Sequence, residues 1–126
     1  AEWRHDLHAH PETGWDTPKA VRWLTEPLEE AGMKTEIGVA GVPSLFSGMV
    51  GGGEKEDRPV VALLAEYDAL RGIGHGCGHN PIGTAAVAAG LAVKALAMTA
   101  LDLFYDGSLL QKVKEDFARY RAEAEV

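Results

Sequence analysis

The densest collection of reactive side chains lies in the segment from Leu63 to Asn80, LLAEYDALRGIGHGCGHN. Glu66, Asp68, His75, Cys77 and His79 fall within fourteen residues, and glycines at 72, 74, 76 and 78 alternate through the second half. Glycine admits backbone conformations that can turn neighbouring side chains onto one centre. Cys77 and His79 are two residues apart. On extended backbone that spacing points both side chains the same way, whereas on a helix it splays them. A thiolate beside an imidazole suits zinc or a similar divalent ion. Two other readings stay open on these residues: a structural glycine turn holding a buried cysteine, and a thiol nucleophile with a histidine as base. Rival motifs fail on spacing. No register of the glycines supplies G-x-G-x-x-G, and a nucleophile elbow would need glycine at 75 and 79, where histidine stands.

Such a loop needs elements to hold it. Pro59 to Ala65, PVVALLA, is continuously apolar and predicts a strand covered on both faces. In open α/β sheets, ligands lie beyond the carboxyl ends of such strands. Met33 to Ile37 alternates like a half-exposed strand, Ser44 to Val50 is a second candidate, and Gly51 to Arg58 reads as a polar turn.

The helical signals are stronger. Glu2 to His10 reads as a short helix stopped by Pro11, followed by a turn to Asp16. Thr17 is placed to cap a second helix with Pro18 in its first position, and Gly32 is placed to end it. On that helix Val21, Leu24, Leu28 and Ala31 share one face, Lys19, Arg22, Glu26, Glu29 and Glu30 face water, and Pro27 predicts a kink. Asn80 and Pro81 suggest another cap and first position, before an Ala-rich helix running to about Tyr105. Asp106 and Gly107 break it, and Ser108 with Gln111 suggests a capping box for a last helix to Ala124. The apolar stripe of that helix is Leu109, Leu110, Val113 and Phe117, while Glu115 and Asp116 lie on its solvated face. His8 and His10 read as helix-end or surface residues, and Trp3, Trp15 and Trp23 as packing residues.

At 126 residues the chain is expected to form a single domain, and no repeat is visible. A net charge of −7 with scattered Lys and Arg argues against nucleic acid. No apolar run is expected to approach the roughly 20 residues that cross a bilayer. No basic-then-apolar leader opens the sequence, which makes a cytoplasmic address the expectation, and the start at Ala1 suggests missing N-terminal residues. A single cysteine leaves no internal disulfide.

AEYDAL followed by GIGHGCGHN closely resembles the metal-binding segment of the amidohydrolase and metallopeptidase family that includes hippurate hydrolase, aminobenzoyl-glutamate hydrolases and a β-alanyl-lysine dipeptidase. LHAHPETGW is similar to that family's N-terminal signature, and ALAMTALDLFYDGSLLQKVKEDF to its last helices. The resemblance implies hydrolysis of an amide bond in an N-acyl amino acid or dipeptide, with zinc or manganese as cofactor. It implies Cys77 and His79 as metal ligands and Asp68 as the catalytic-site aspartate supporting the metal, and leaves His75 and Asn80 without a ligand role. Arg71 and Pro81 depart from the family pattern without removing a ligand. Relatives dimerise through an inserted domain that has no counterpart here.

The family also needs a glutamate pair and further histidine ligands, whereas all five histidines here lie at or before His79. The expectation is therefore a partial α/β catalytic domain, a small mixed sheet with flanking helices from a three-layer zinc-exopeptidase-like fold. Residues 1–93 resemble the N-terminal part and 94–126 the C-terminal helices, with the middle missing near Val93 and Lys94. That join would make the overlong Ala-rich helix two helices spliced together, and the enzyme impaired. The alternatives are an inactive metal- or protein-binding remnant and a thiol-dependent hydrolase using Cys77.

Overall fold

The computed structural model describes residues 3–51 and 60–124. Helices α1 (Trp3–Ala9) and α2 (Pro18–Glu30) precede a hairpin of β1 (Lys34–Ile37) and β2 (Phe46–Met49). The glycine loop follows, with one 3-10 turn at His75–Cys77, and then α3 (His79–Tyr105) and α4 (Gly107–Ala124). This mixture of helices with a small sheet is consistent with the α/β class. The sheet itself is two-stranded and antiparallel rather than mixed, pairing Lys34 with Met49 and Ile37 with Phe46. The chain divides into two compact units, residues 1–91 and 92–126.

The first unit is organised by α2. Ala20, Val21, Leu24, Thr25 and Leu28 are its buried residues, the helical face expected from the sequence except that Ala31 is half-buried. Leu24 is fully buried and forms one core with Leu7, Ala20, Leu28, Met33 and Val87. Trp3, Trp23, Phe46, Tyr67 and Leu91 pack around it. Trp15 does not, being 75% exposed, so the packing role expected for it fails. The end of α2 follows from Gly32. Its φ of +69° lets its N–H reach the Glu29 carbonyl at 2.7 Å and the Met33 N–H reach Leu28 at 2.9 Å, the double bond pattern of a glycine helix stop. Pro27 lies inside the helix, which continues through it to Glu30.

Three caps differ from expectation. Thr17 occupies the cap position of α2 but makes no side-chain capping bond, and its hydroxyl is buried without a partner. Glu12 caps instead, its carboxylate accepting from the Lys19 N–H at 3.2 Å and the Ala20 N–H at 2.9 Å. Asp106, not a Ser108–Gln111 box, caps α4: its Oδ1 accepts from the N–H groups of Ser108 (2.9 Å) and Leu109 (3.0 Å). The Gln111 amide donates to Glu115 at 2.8 Å. Asp106 forms these bonds as an anion, and the Ser108 hydroxyl bond first, then the backbone bonds, hold its carboxyl below the ordinary aspartate value. Helix α3 begins at His79, so Asn80 is within its first turn rather than before it. Pro81 is tolerated there because the first N–H groups of a helix have no intrahelical partner.

The predicted strand at Pro59–Ala65 is not one over its described residues. Residues 60–65 form no strand, with Val60 90%, Val61 88% and Leu64 84% exposed. A two-face-buried strand needs a neighbouring strand and a covering layer, and none stands there among the described residues. Nor does the expected ceiling on apolar length hold. Helix α3, 27 residues with a mean hydropathy of 1.7 over its most apolar window, is long and apolar enough to cross a membrane by length and composition. A core helix of a soluble domain has the same profile. Its buried residues, Asn80, Gly83, Thr84 and Val87, all lie in its first part.

Candidate functional site

The segment bearing Asp68 is held from two sides. The N-terminal HPET turn clamps it: the Ala69 N–H donates to the Glu12 carbonyl at 2.6 Å, and Thr13 pairs with Ala69 as a single parallel bridge. From the hairpin side, the Tyr67 phenol donates to the Ser44 carbonyl, and its ring lies 5.5 Å from that of Phe46. Burial, with Asp68 beside it, raises the Tyr67 pKa above 10. Helix α3 approaches closely because position 83 is glycine. A Cβ there would come within 2.9 Å of the Glu66 carbonyl oxygen and 3.3 Å of the Tyr67 side chain. The loop then closes on itself, with Leu70 and Gly74 exchanging backbone bonds of 2.9 Å each way. Gly74 takes φ +65° and ψ −137°, a conformation open essentially to glycine alone.

This clamping brings three of the reactive side chains together. His79 Nδ1 lies 2.8 Å from Asp68 Oδ1 and 3.1 Å from the Asp68 carbonyl oxygen. Both are acceptors, so Nδ1 carries the proton and Nε2 is the nitrogen left to act as a donor atom to an electrophile. Glu66 Oε2 lies 3.3 Å from that Nε2. Two lone-pair-bearing atoms face one another there, and either a second proton or a cation must join them. Zinc–nitrogen and zinc–oxygen bonds of about 2.0–2.2 Å at a tetrahedral angle place their donors about 3.4 Å apart. The separation is also longer than the 2.7–2.9 Å usual for a charge-assisted hydrogen bond. The His79–Glu66 pair leaves room for either a second proton or a divalent ion, and Asp68 stands where a carboxylate would orient a metal-ligating imidazole.

Cys77 lies nearby, its Sγ 4.0 Å from the Asp68 carbonyl oxygen that His79 Nδ1 also meets. It is exposed, which removes the buried-cysteine reading. No imidazole nitrogen contacts the sulfur among the described bonds; the His79 ring is committed to the two carboxylates. Glu66 is one of two acids in the loop, and nothing in the sequence distinguishes it as the one facing Nε2. Among the described residues no group of three or more His, Cys, Asp or Glu side chains is arranged to hold a metal ion.

His75 belongs to a different neighbourhood. It is 9% exposed, neither ring nitrogen makes a hydrogen bond, and its ring lies 6.5 Å from that of His8 on α1, with the planes 29° apart. Burial lowers its pKa, opposed in part by the Leu7 backbone. His10, at the end of α1, bonds back to the Asp6 carbonyl at 3.0 Å and leans on Trp23, as a helix-end histidine should. Glu115 and Asp116 are exposed, Asp116 paired with Arg119 at 2.8 Å, which leaves them a surface role.

No family model matches the chain. Individual proteins do. A p-aminobenzoyl-glutamate hydrolase of Escherichia coli (strain K12) is 40% identical over 102 residues, covering 68% of this chain and 20% of that protein. N-acetylcysteine deacetylase of Bacillus subtilis (strain 168) is 33% identical over 96 residues, 61% of this chain and 23% of that protein. These relatives place the similarity in an amidohydrolase family, over part of the chain and about a fifth of their own length. Xaa-Arg dipeptidase of Mus musculus extends it, 36% identical over 81 residues, 62% of this chain and 16% of that protein. The chain spans about a fifth of the length of the relatives it matches.

Proposed function

We propose that this chain carries part of the centre of a metal-assisted amide hydrolase acting on N-acyl amino acids or dipeptides. One observation carries the reading: His79 is held by Asp68 so that its other nitrogen faces the Glu66 carboxylate at 3.3 Å, while Cys77 meets the same Asp68 carbonyl oxygen as His79 Nδ1. The names of the relatives, a hydrolase of p-aminobenzoyl-glutamate, a deacetylase of N-acetylcysteine and an Xaa-Arg dipeptidase, share one reaction type, cleavage of an amide bond beside an amino acid. His79 and Cys77 would hold a zinc or manganese ion, with Glu66 as a third oxygen donor. Such an ion supplies Lewis acidity toward a carbonyl and a more acidic water. Asp68 keeps the proton on Nδ1 and so keeps Nε2 available.

Catalytic zinc ordinarily uses three protein ligands and an open position, together with a general base. On this reading the chain offers two ligands, Cys77 and His79, and one exposed carboxylate, and Glu66 cannot serve as ligand and base together. The 126 residues alone are therefore a poor catalyst, the remaining ligands and base belonging to the kind of polypeptide that makes up the other four-fifths of the relatives. Residues 1–93 correspond on this reading to the N-terminal part of a larger three-layer domain and 94–126 to its last helices, which gives the apolar 60–65 segment and α3 their missing cover.

The test is zinc binding measured beside hydrolysis of p-aminobenzoyl-glutamate and N-acetylcysteine. Stoichiometric zinc that is lost in His79→Ala and Cys77→Ser supports the centre, and chelator-sensitive turnover extends it to catalysis. A chain that stays metal-free in excess zinc sinks the proposal. Turnover that survives EDTA but not iodoacetamide would replace it with thiol chemistry at Cys77.

A further inference from the structure

A second polar concavity lies on the first unit, between α1 and the glycine loop. It is an open cleft of about 450 Å³, lined by Arg4, His5 and His8 from α1 and by His75, Gly76, Gly78, Asn80 and Pro81 from the loop and the start of α3. Its walls hold one permanent cation and three imidazoles, and no aspartate or glutamate, in a chain whose net charge is −7. Chance placement in so acidic a chain would put a carboxylate against Arg4. Among the described ion pairs none involves Arg4.

His75 supplies the second observation. It is more than nine-tenths buried and neither ring nitrogen meets a partner in full hydrogen-bonding geometry, the Leu7 backbone acting on it only electrostatically, although buried polar groups are ordinarily hydrogen-bonded. The cleft also ends at the first turn of α3, where the leading backbone N–H groups have no intrahelical acceptor and the dipole is positive. The glycines at 76 and 78 keep side chains off that approach; a Cβ added at Gly78 would meet nothing within 4 Å. The three imidazoles do not form a metal cage, as no such grouping is present among the described residues.

We infer that this cleft binds a small oxyanion, a carboxylate or an inorganic phosphate, through the Arg4 guanidinium with His5 and His8 as further donors and the His75 ring as the wall behind them. The site is separate from the His79–Glu66 pair and does not depend on a metal. The experiment therefore uses the 126-residue chain stripped with EDTA, so that an anion has no metal to bind. Inorganic phosphate, N-acetylglycine and its uncharged amide are titrated while the backbone amide resonances of Gly76, Gly78 and Asn80 are followed. The expected result is saturable shifts with phosphate, N-acetylglycine or both, and none with N-acetylglycinamide. The stronger of the two anions identifies the source, free phosphate or the carboxylate of an acylated amino acid. Arg4→Gln should weaken binding at least about tenfold, since a charged hydrogen bond of that kind is lost. Arg22→Gln, an exposed cation of α2 outside the cleft, should leave it unchanged. Shifts absent up to tens of millimolar, equal shifts with the uncharged amide, or binding unaltered in Arg4→Gln would overturn the inference.

Discussion

Glu12 joins the fold to the candidate site twice, once through its side chain and once through its backbone, and its replacement is the most informative perturbation of the first unit. Of the first three residues of α2, Pro18 has no N–H, and those of Lys19 and Ala20 both go to the Glu12 carboxylate; Val21 makes the first bond within the helix, to Thr17 at 3.0 Å. Thr17 offers no substitute, since its side chain does not cap. Losing a capping acceptor costs about 0.5–2 kcal/mol, and losing a carboxylate from a helix N-terminus about 0.3–1 kcal/mol. The Lys19 N–H is exposed and water replaces its partner, while the Ala20 N–H is partly buried and stays unsatisfied. Glu12→Ala should therefore destabilise by about 1.5–2 kcal/mol, read as a lower urea midpoint at unchanged slope, with fluorescence of the core-packed Trp3 and Trp23 as probe. Glu12→Gln keeps an acceptor without the charge and should lose about half as much. The Glu12 carbonyl receives the Ala69 N–H, so hydrogen exchange at Ala69 should quicken in step with the destabilisation. A Glu12→Ala midpoint matching the parent, or Ala69 exchange unchanged in a destabilised variant, would refute the idea that this turn both caps α2 and clamps the reactive loop.

Core and surface leucines should part sharply. Leu24→Ala, at a site with no exposure, should cost about 2–5 kcal/mol in the same urea assay. Leu64→Ser, at 84% exposure, should stay within about 0.5 kcal/mol, the reverse of what a buried strand would give. Asp68→Asn removes the charge that orients His79 and should weaken zinc binding about 10–100-fold by competition titration, with the melting of the metal-free chain little changed. For Asp106 the lowered folded pKa fixes the sign. Its capping contribution is complete above the ordinary value of 3.8 and is lost as pH falls through the lower folded value. The helical circular dichroism of a peptide spanning 100–124 should thus decline on acidification below pH about 4, and Asp106→Asn should flatten that decline.

The parts of this structure that were readable in advance are those set by short-range chemistry. The face of α2, its glycine stop at Gly32 and the break at Asp106–Gly107 each depend on residues within one or two turns, and they stand where the sequence pattern puts them. The caps were half-readable, because a capping acceptor need not be the residue at the cap position. Glu12 reaches α2 from seven residues away, and Thr17, the better cap by type, is left with an unpaired hydroxyl. At the site the backbone is not the extended stretch that the spacing implied: Cys77 ends a 3-10 turn and His79 begins α3, yet both meet the Asp68 carbonyl oxygen, while His75 lies toward α1.

The misreadings at 60–65 and in α3 have a single physical origin. A continuous apolar run states a demand for cover; it does not state what supplies it. In a parallel sheet that cover comes from strands and helices distant in sequence, and none covers residues 60–65 among the described residues. The apolar residues of 60–65 and of the later part of α3 are largely exposed, an arrangement that is costly in water. The polar chemistry behaves differently. His79, Asp68 and Glu66 are assembled by contacts that all lie within the first unit, the Glu12–Ala69 bond, the Tyr67–Ser44 bond and the close packing at Gly83. An orienting carboxylate and its imidazole can therefore be assembled without a buried sheet, because a few hydrogen bonds and one close glycine contact suffice to hold them, while a two-face-buried strand needs whole neighbouring layers.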